Sequence, residues 1–149
     1  MMPQSLSILL VDDNPADLML AREVFESHED WVNVASCSSG NEAISHLKDP
    51  NYALPDVVIT DLNMPSMTGL DVIRAIKSDP ELRHIPVVVL STSDAPDQIE
   101  QAYNLHATSY MVKATGFSEF VDQIEAFLNF WRCSKLARRE RQSLDTATL

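Results

Sequence analysis

The sequence predicts an α/β fold in which five parallel strands form a doubly wound sheet with five helices. Short apolar, β-branched runs alternate strictly with amphipathic stretches along the chain, and nearly continuous apolar runs are typical of strands buried on both faces. Strict alternation predicts a parallel sheet with helices on both faces and right-handed crossovers. The 149 residues, 45% of them hydrophobic, suit one domain that buries its own core.

The elements are predicted from two periodicities. The five predicted strands are Leu6–Val11, Trp31–Cys37, Asp56–Asp61, Pro86–Ser91 and Ser109–Val112. Between them, apolar residues three or four positions apart mark one face of each helix. The first four faces contain Leu18, Ala21, Val24 and Phe25; Ala43, Ile44 and Leu47; Leu70, Ile73 and Ile76; and Ile99, Ala102 and Tyr103. The fifth and longest contains Phe117, Phe120, Val121, Ile124, Phe127, Leu128 and Trp131.

Helix boundaries agree with these faces. Asn14 before Pro15 is a typical N-cap followed by proline at the first helical position. Ser39 precedes the second helix. Asp79 is expected to end the third, because the following residue is Pro80 and the residue before proline avoids the α region.

The net charge of −11 is unevenly distributed. Residues 132–149 contain five basic and two acidic side chains, a net charge of +3, so residues 1–131 carry −14. An acidic body argues against binding of nucleic acid or an anionic membrane and suits metal cations or basic partners. We therefore expect a domain at residues 1–131, followed by a basic extension at 132–149 that is partly helical and then a loose tail.

Four of the five predicted strands end in polar side chains. Asp12 and Asp13 follow the first strand, Asp61 ends the third, Ser91 ends the fourth and Lys113 follows the fifth. Ligands of an open doubly wound sheet bind beyond the carboxyl ends of its strands. These side chains are therefore predicted to meet at one edge of the sheet.

The three aspartates predict a cation site. A single aspartate after a strand is usually a helix cap, but Asn14 already occupies that position, so Asp12 and Asp13 are surplus to capping. Adjacent carboxylates repel one another and persist mainly when a cation neutralises them. With oxygen ligands only, and no histidine or cysteine at ligand spacing, Mg²⁺ or Mn²⁺ is expected rather than Zn²⁺.

The remaining groups suit phosphoryl transfer. A lysine after a strand is usually solvated, but Lys113 is the only lysine or arginine between Arg83 and Arg132 and suits a phosphoryl group as a point charge. A hydroxyl of Ser91 or Thr92 is suited to donate to a phosphoryl oxygen. An aspartate can attack phosphorus directly and form an aspartyl phosphate. The pattern predicts phosphoryl transfer without a general base.

Four motifs resemble those of the receiver domains of two-component response regulators. They are ILLVDDNP at residues 8–15, DLNMPSMTG at 61–69, PVVVLS at 86–91 and YMVK at 110–113, and the resemblance covers about residues 6–131. It implies a flavodoxin-like sheet with strand order 2-1-3-4-5. It also implies that the chain is a signalling protein and catalyses only its own phosphorylation and dephosphorylation.

The resemblance assigns the acidic residues to phosphate and metal. Asp61 corresponds to the phosphoacceptor, and a phosphohistidine on a sensor histidine kinase would be the donor. Asp13 and Asp61 correspond to direct Mg²⁺ ligands. Asp12 would act largely through water, and the backbone carbonyl of Asn63 corresponds to a further ligand.

The same resemblance assigns the switch. Ser91 corresponds to the switch hydroxyl, Tyr110 to the aromatic residue that changes rotamer with it, and Lys113 to the lysine that pairs with the phosphoryl group. Phosphorylation would then change the face formed by helix 4, strand 5 and helix 5. The family usually has proline after the lysine, often with a cis bond, whereas this chain has Ala114; the bond is therefore either cis and strained or trans in a relaxed loop.

A narrower resemblance is to the short, stand-alone regulators that partner bacterial phytochromes. The segments that carry it are Ser91–Ser93, Tyr103–His106, Tyr110–Lys113 and Phe130–Trp131. It implies a bacterial phytochrome as the kinase.

The end of the fifth helix has more apolar surface than one sheet face needs. Phe130 and Trp131 either form a homodimer contact with helices 4 and 5 and the extension, or pack back on the body. We expect the homodimer. The basic residues after Trp131 would pair with the acidic body of a second copy or form a solvated face, and no nucleic acid is expected.

Two further function classes compete with the receiver. A Mg²⁺ phosphatase resembling the haloacid dehalogenases needs a second aspartate two residues after the nucleophile, where this chain has Asn63. A pseudo-receiver that acts as a dimeric binding module without phosphate would not need intact acids and lysine.

The sequence predicts a cytoplasmic protein without membrane contact. It contains two cysteines, Cys37 and Cys133, its apolar runs are short, and it shows no signal pattern.

Overall fold

In the computed structural model, residues 5–136 are described, and they form five strands and five helices in alternation. The strands are β1 (Leu6–Val11), β2 (Val32–Cys37), β3 (Val57–Thr60), β4 (Val87–Ser91) and β5 (Ser109–Val112). The helices are α1 (Pro15–Glu26), α2 (Gly40–Lys48), α3 (Gly69–Ser78), α4 (Pro96–Asn104) and α5 (Phe117–Arg132).

All strand pairs are parallel, and the sheet order is β2-β1-β3-β4-β5. Both the doubly wound fold and the order implied by the resemblance are therefore confirmed. Because β1 lies between β2 and β3, the ends of β1 and β3 are neighbours. The acidic residues that follow these two strands consequently come together.

The predicted helix boundaries are also confirmed. The Asn14 side chain accepts hydrogen bonds from the N–H groups of Ala16 and Asp17, Ser39 caps α2, and Asp79 is the C-cap of α3. Some predicted strand ends lie outside the ladder. Trp31, for example, donates its N–H to the carbonyl of His28 within the turn before β2.

The core has one layer on each face of the sheet, and alternate residues of β1 divide between them. Leu6, Ile8 and Leu10 pack with α1 and α5, whereas Leu9 and Val11 pack with α2, α3 and α4. This division explains why the apolar runs show no polar alternation.

Helix α5 departs from the prediction at its first residue. Phe117, predicted on the buried stripe, is 70% exposed, because the buried face begins one turn later at Phe120. Trp131 is buried against the α1–α5 layer, so it packs back on its own body, whereas Phe130 is 63% exposed. Tyr103 of α4 is likewise exposed instead of buried, although its hydroxyl accepts a hydrogen bond from the Tyr110 N–H.

Helix α5 ends at Arg132, and Leu136 packs against the same layer. The predicted loose tail at residues 137–149 lies outside the described residues. Within residues 5–136, the helices lack the length and apolar character that a membrane span requires.

Candidate functional site

The predicted site residues meet at the carboxyl edge of the sheet because the backbone pairing continues past the strand ends. The N–H of Asp12 donates to the carbonyl of Cys37 at 3.1 Å, that of Asp61 to Val11 at 2.8 Å, and that of Lys113 to Ser91 at 2.7 Å. Each side chain thus leaves a backbone that is fixed to the neighbouring strand.

Asp12, Asp13 and Asp61 form an acidic cluster. Each offers a carboxylate oxygen, and these oxygens all lie within 4.8 Å of one another. Asp12 is buried, Asp13 is exposed and Asp61 is half-buried, so the cluster opens toward solvent at Asp13. An all-oxygen set of three carboxylates fits a hard divalent cation such as Mg²⁺ or Mn²⁺.

Burial raises the pKa of Asp61, and the charges of Asp12 and Asp13 raise it further. The nearby Lys113 and the N–H of Leu62, which donates to the Asp61 carboxylate at 2.7 Å, act in the opposite direction without cancelling the rise. The ionised Asp61 is therefore held in an unfavourable environment that a cation would relieve.

Gly69 keeps the loop after Asp61 tight. A Cβ atom at this position would lie 2.3 Å from the carbonyl oxygen of Asp61 and 2.8 Å from Cα of Leu62. The Gly69 N–H also donates to the carbonyl of Leu62 at 2.7 Å. The start of α3 thus packs directly on the backbone of Asp61, which only glycine permits. Asn63 lies in this loop, exposed, and its side-chain oxygen accepts a hydrogen bond from Gln98 at 3.3 Å.

Lys113 is buried and is paired with two carboxylates. Its ammonium donates to Oδ2 of Asp12 at 2.7 Å and to Oδ2 of Asp17 at 2.9 Å. Burial alone would lower the pKa of Lys113, but the hydrogen bonds that its ammonium donates to Asp12 and Asp17 and the charges of Asp12 and Asp61 outweigh this effect, so the pKa is raised. The lysine is therefore charged and adjoins the acidic cluster.

Sequence reasoning missed Asp17. It lies one helical turn beyond Asp13, and a buried lysine needs a counter-ion, but the sequence contains no direct signal that pairs residues 17 and 113.

Ser91 and Tyr110, the predicted switch residues, are joined through the loop between β4 and α4. Ser91 is fully buried, and its hydroxyl accepts a hydrogen bond from the Ser93 N–H at 3.2 Å. The Tyr110 hydroxyl donates to the Ser93 carbonyl at 2.7 Å. The Ser93 hydroxyl donates to the side chain of Gln98, which also contacts Asn63. Ser93 and Gln98 therefore connect Ser91, Tyr110 and the loop after Asp61. The sequence reasoning named Ser93 only as part of a resemblance and did not single out Gln98.

The loop after Lys113 has a trans peptide bond, as do all the described residues. Because Ala114 stands where the family usually has proline, its N–H is available, and it donates to Oε1 of Gln123 at 3.0 Å. Nε2 of Gln123 donates to the carbonyl of Val112 at 2.7 Å. A single side chain of α5 therefore holds the backbone on both sides of Lys113.

Comparison with known proteins identifies a family and several relatives that are similar to this chain. The sequence profile of the response regulator receiver domain matches residues 8–125. Response regulator Rcp1 of a Synechocystis species is 32% identical over 83% of this chain and 87% of its own length. The probable methanogenesis regulatory protein FilR2 of Methanothrix harundinacea is 35% identical over 83% of this chain and 82% of its own length.

Two solved structures are similar over nearly their whole length. The phosphorylated cyanobacterial phytochrome response regulator RcpA has a TM-score of 0.85 and 35% identity, covering 90% of this chain and 99% of its own. The Mn²⁺-bound form of Rcp1 has a TM-score of 0.83 and 30% identity, covering 89% and 99%.

Proposed function

The chain belongs to the response regulator receiver domain family, and from this premise we propose that it is a single-domain response regulator that accepts a phosphoryl group on Asp61. The observation that carries the proposal is the meeting of Asp12, Asp13, Asp61 and Lys113 at one sheet edge. The curated relatives that it matches are aligned over 82% and 87% of their own length. The proposed organisation is a receiver body at residues 1–131 followed by a basic extension at 132–149.

The proposed donor is a phosphohistidine of a sensor histidine kinase. An oxygen of the Asp61 carboxylate attacks phosphorus, an O–P bond forms, the N–P bond breaks, and the imidazole nitrogen keeps the electron pair. Lys113 pairs with the phosphoryl oxygens. A Mg²⁺ ion held by Asp13, Asp61 and the Asn63 carbonyl, with Asp12 acting through water, would neutralise the charge that gathers there. Mn²⁺, present in a structure of the similar Rcp1, is an alternative.

The proposed output is a change of the surface formed by α4, β5 and α5. In the structure, the Ser91 hydroxyl accepts from Ser93, and Tyr110 donates to the Ser93 carbonyl. A phosphoryl group on Asp61 would give the Ser91 hydroxyl a new acceptor. The loop that Ser93 shares with Tyr110 would then shift, and the ring of Tyr110 with it.

The test uses acetyl phosphate as a small phosphodonor, with and without Mg²⁺, and a phosphate-affinity gel. We expect a Mg²⁺-dependent shift for the native protein and none for Asp61→Asn. Asp56→Asn is the matched control, since Asp56 lies at the other end of β3, and it should shift as the native protein does. A native protein that shows no shift would identify the chain as a pseudo-receiver, and a shift in Asp61→Asn would refute the assignment of the acceptor.

We further propose that the kinase is a bacterial phytochrome and that signalling takes place in the cytoplasm. The similarity to RcpA, described as a phytochrome response regulator, supports the partner. The test is phosphotransfer from a phosphorylated bacterial phytochrome to the native protein. Transfer no faster than from an unrelated histidine kinase would contradict it.

A homodimer through α4, α5 and the extension completes the proposal. Exposed Phe130 borders an apolar groove of about 380 Å³ lined by Val88, Met111, Phe127 and Trp131. Sedimentation of Phe130→Ser is expected to show a monomer. Phe117→Ser, which removes another exposed phenyl ring at the other end of the same helix, is the control and should leave the dimer intact. A native monomer would contradict the proposal.

A further inference from the structure

Lys113 has a second carboxylate partner that the proposed phosphoryl transfer does not use. The lysine side chain is only 6% exposed, as is typical of a charge that must be paired. Asp12, equally buried, lies on one side of the ammonium, and the half-buried Asp17 lies on the other. The two partners differ in what else they do.

Asp12 has several roles at once. Its Oδ1 accepts the Asn14 N–H at 2.9 Å, its Oδ2 accepts from Lys113, and it contributes an oxygen to the acidic cluster. A cation in that cluster therefore competes with Lys113 for Asp12. Among the described residues, the cluster comprises Asp12, Asp13 and Asp61, so Asp17 is not drawn into the same competition.

Asp17 is held in place independently of the cluster. It is the third residue of α1, and its N–H donates to the side chain of Asn14 at 3.2 Å. A carboxylate in the first turn is also stabilised by the positive end of the helix dipole. Since an ammonium has three N–H donors, Lys113 can keep Asp17 and still donate to another group.

We propose that Asp17 is a positioning residue that holds the Lys113 ammonium at the site while Asp12 serves a divalent cation. The cation and the lysine are then available together. The part that concerns phosphoryl transfer rests on the function proposed above, whereas the part that concerns cation binding does not.

The first test measures binding of Mg²⁺ alone by calorimetry. In Asp17→Asn, Asp12 is the remaining carboxylate that pairs with the Lys113 ammonium. The ammonium then competes more strongly with the cation for Asp12, so we expect the Kd for Mg²⁺ to rise about fivefold. Asp97→Asn is the matched control, because Asp97 is an exposed acid in the first turn of α4 and its loss changes the net charge equally. The control should stay within about twofold of the native Kd, and Asp17→Glu should restore most of the loss.

The second test asks whether Asp17 acts through Lys113. In a Lys113→Met background, Asp17→Asn should change the Kd for Mg²⁺ no more than the Asp97→Asn control does. An equal weakening in both backgrounds would mean that Asp17 acts by its own charge, which would overturn the proposal. If Lys113→Met does not fold, proton exchange at Nζ of Lys113 replaces it: with Mg²⁺ bound, exchange should be slow in the native protein and fast in Asp17→Asn. Equal exchange rates would refute the proposal.

The third test separates this proposal from the function on which it rests. At saturating Mg²⁺, Asp17→Asn should take up phosphate from acetyl phosphate about fivefold more slowly than the native protein. If the native protein takes up no phosphate, the acceptor function is refuted. The Kd for Mg²⁺ of Asp17→Asn then decides whether Asp17 positions Lys113. A native protein that is phosphorylated no faster than Asp17→Asn refutes the positioning role alone.

Discussion

Two aspartates flank strand β3, and their surroundings are opposite. Asp56, before the strand, accepts the Ser7 N–H at 2.8 Å and donates its own N–H to the Ser7 carbonyl at 2.8 Å. Asp61, after the strand, lies beside the carboxylates of Asp12 and Asp13. At the amino edge of the sheet a backbone N–H thus donates to the acid, whereas at the carboxyl edge three carboxylates repel one another. One strand of four residues therefore has an acid that stabilises the fold before it and an acid that is suited to bind a cation after it.

The largest effect is expected when the counter-ion at the carboxyl edge is removed. Lys113→Met leaves Asp12 buried without its ammonium, and loss of one partner of a buried pair costs about 3 kcal/mol of unfolding free energy. Denaturation in urea with EDTA measures the loss. Because a cation also neutralises Asp12, Mg²⁺ should recover part of it.

Lys77 provides the comparison within the same protein. Its ammonium donates to the carbonyl oxygens of Arg83 and Ile85, and within residues 5–136 it forms no ion pair with a carboxylate. Lys77→Met should cost only about 1 kcal/mol, and Mg²⁺ should not change the result. Equal losses of unfolding free energy in Lys113→Met and Lys77→Met would show that the carboxylates at the carboxyl edge add nothing to the cost of removing a lysine.

The sequence was sufficient for the fold because the signals are local and repeated. Asn14 and Ser39 mark helix starts with side chains that do cap them, and the apolar runs do form the ladder. Periodicity identifies a helix face but not where that face meets the core. Phe117 and Tyr103 are therefore exposed, although both lie at the expected spacing.

The candidate site could be predicted in part. The resemblance and the strand ends placed Asp61 and Lys113 at one edge, because strand ends converge whenever a sheet is parallel. The partners Asp17 and Gln123 could not be found, since polar residues on amphipathic helices give the same pattern whether they face solvent or reach across to another loop.

An intermediate effect is expected at the loop after Lys113. Gln123→Leu removes the hydrogen bonds to Ala114 and Val112 and should cost about 1–2 kcal/mol. Gln123→Glu still accepts from Ala114 but cannot donate to Val112, so its loss should be intermediate. Urea unfolding of the three proteins measures the series. No difference between the glutamate and leucine variants would mean that the Ala114 bond contributes nothing.

The smallest effect tests the two aspartates of β3 directly. Because the pKa of Asp61 is raised in the folded protein, its ionised form destabilises the fold at neutral pH. Asp61→Asn should therefore be more stable than the native protein at pH 7, by on the order of 1 kcal/mol. The gain should shrink as the pH falls through the raised pKa of folded Asp61 and disappear well below about 4, the ordinary pKa of an aspartate, where the carboxyl is protonated in both the folded and the unfolded state.

Asp56→Asn is the matched change at the amino edge. It should bring no gain at pH 7, since Asp56 is already satisfied by the Ser7 N–H. Thermal unfolding at pH 7 and at pH 4 measures both variants. A similar gain from both would remove the contrast between the two edges.

The ion pair between Asp12 and Lys113 spans 101 residues of chain. The acid follows β1, and its counter-ion follows β5, the first and the last strand of the described residues. A nascent chain therefore contains Asp61, the proposed acceptor, well before Lys113 emerges, and closing so long a loop comes late when a chain folds. The pair consequently forms only in the finished sheet, so partly made or partly folded copies would lack the complete site proposed for phosphoryl transfer.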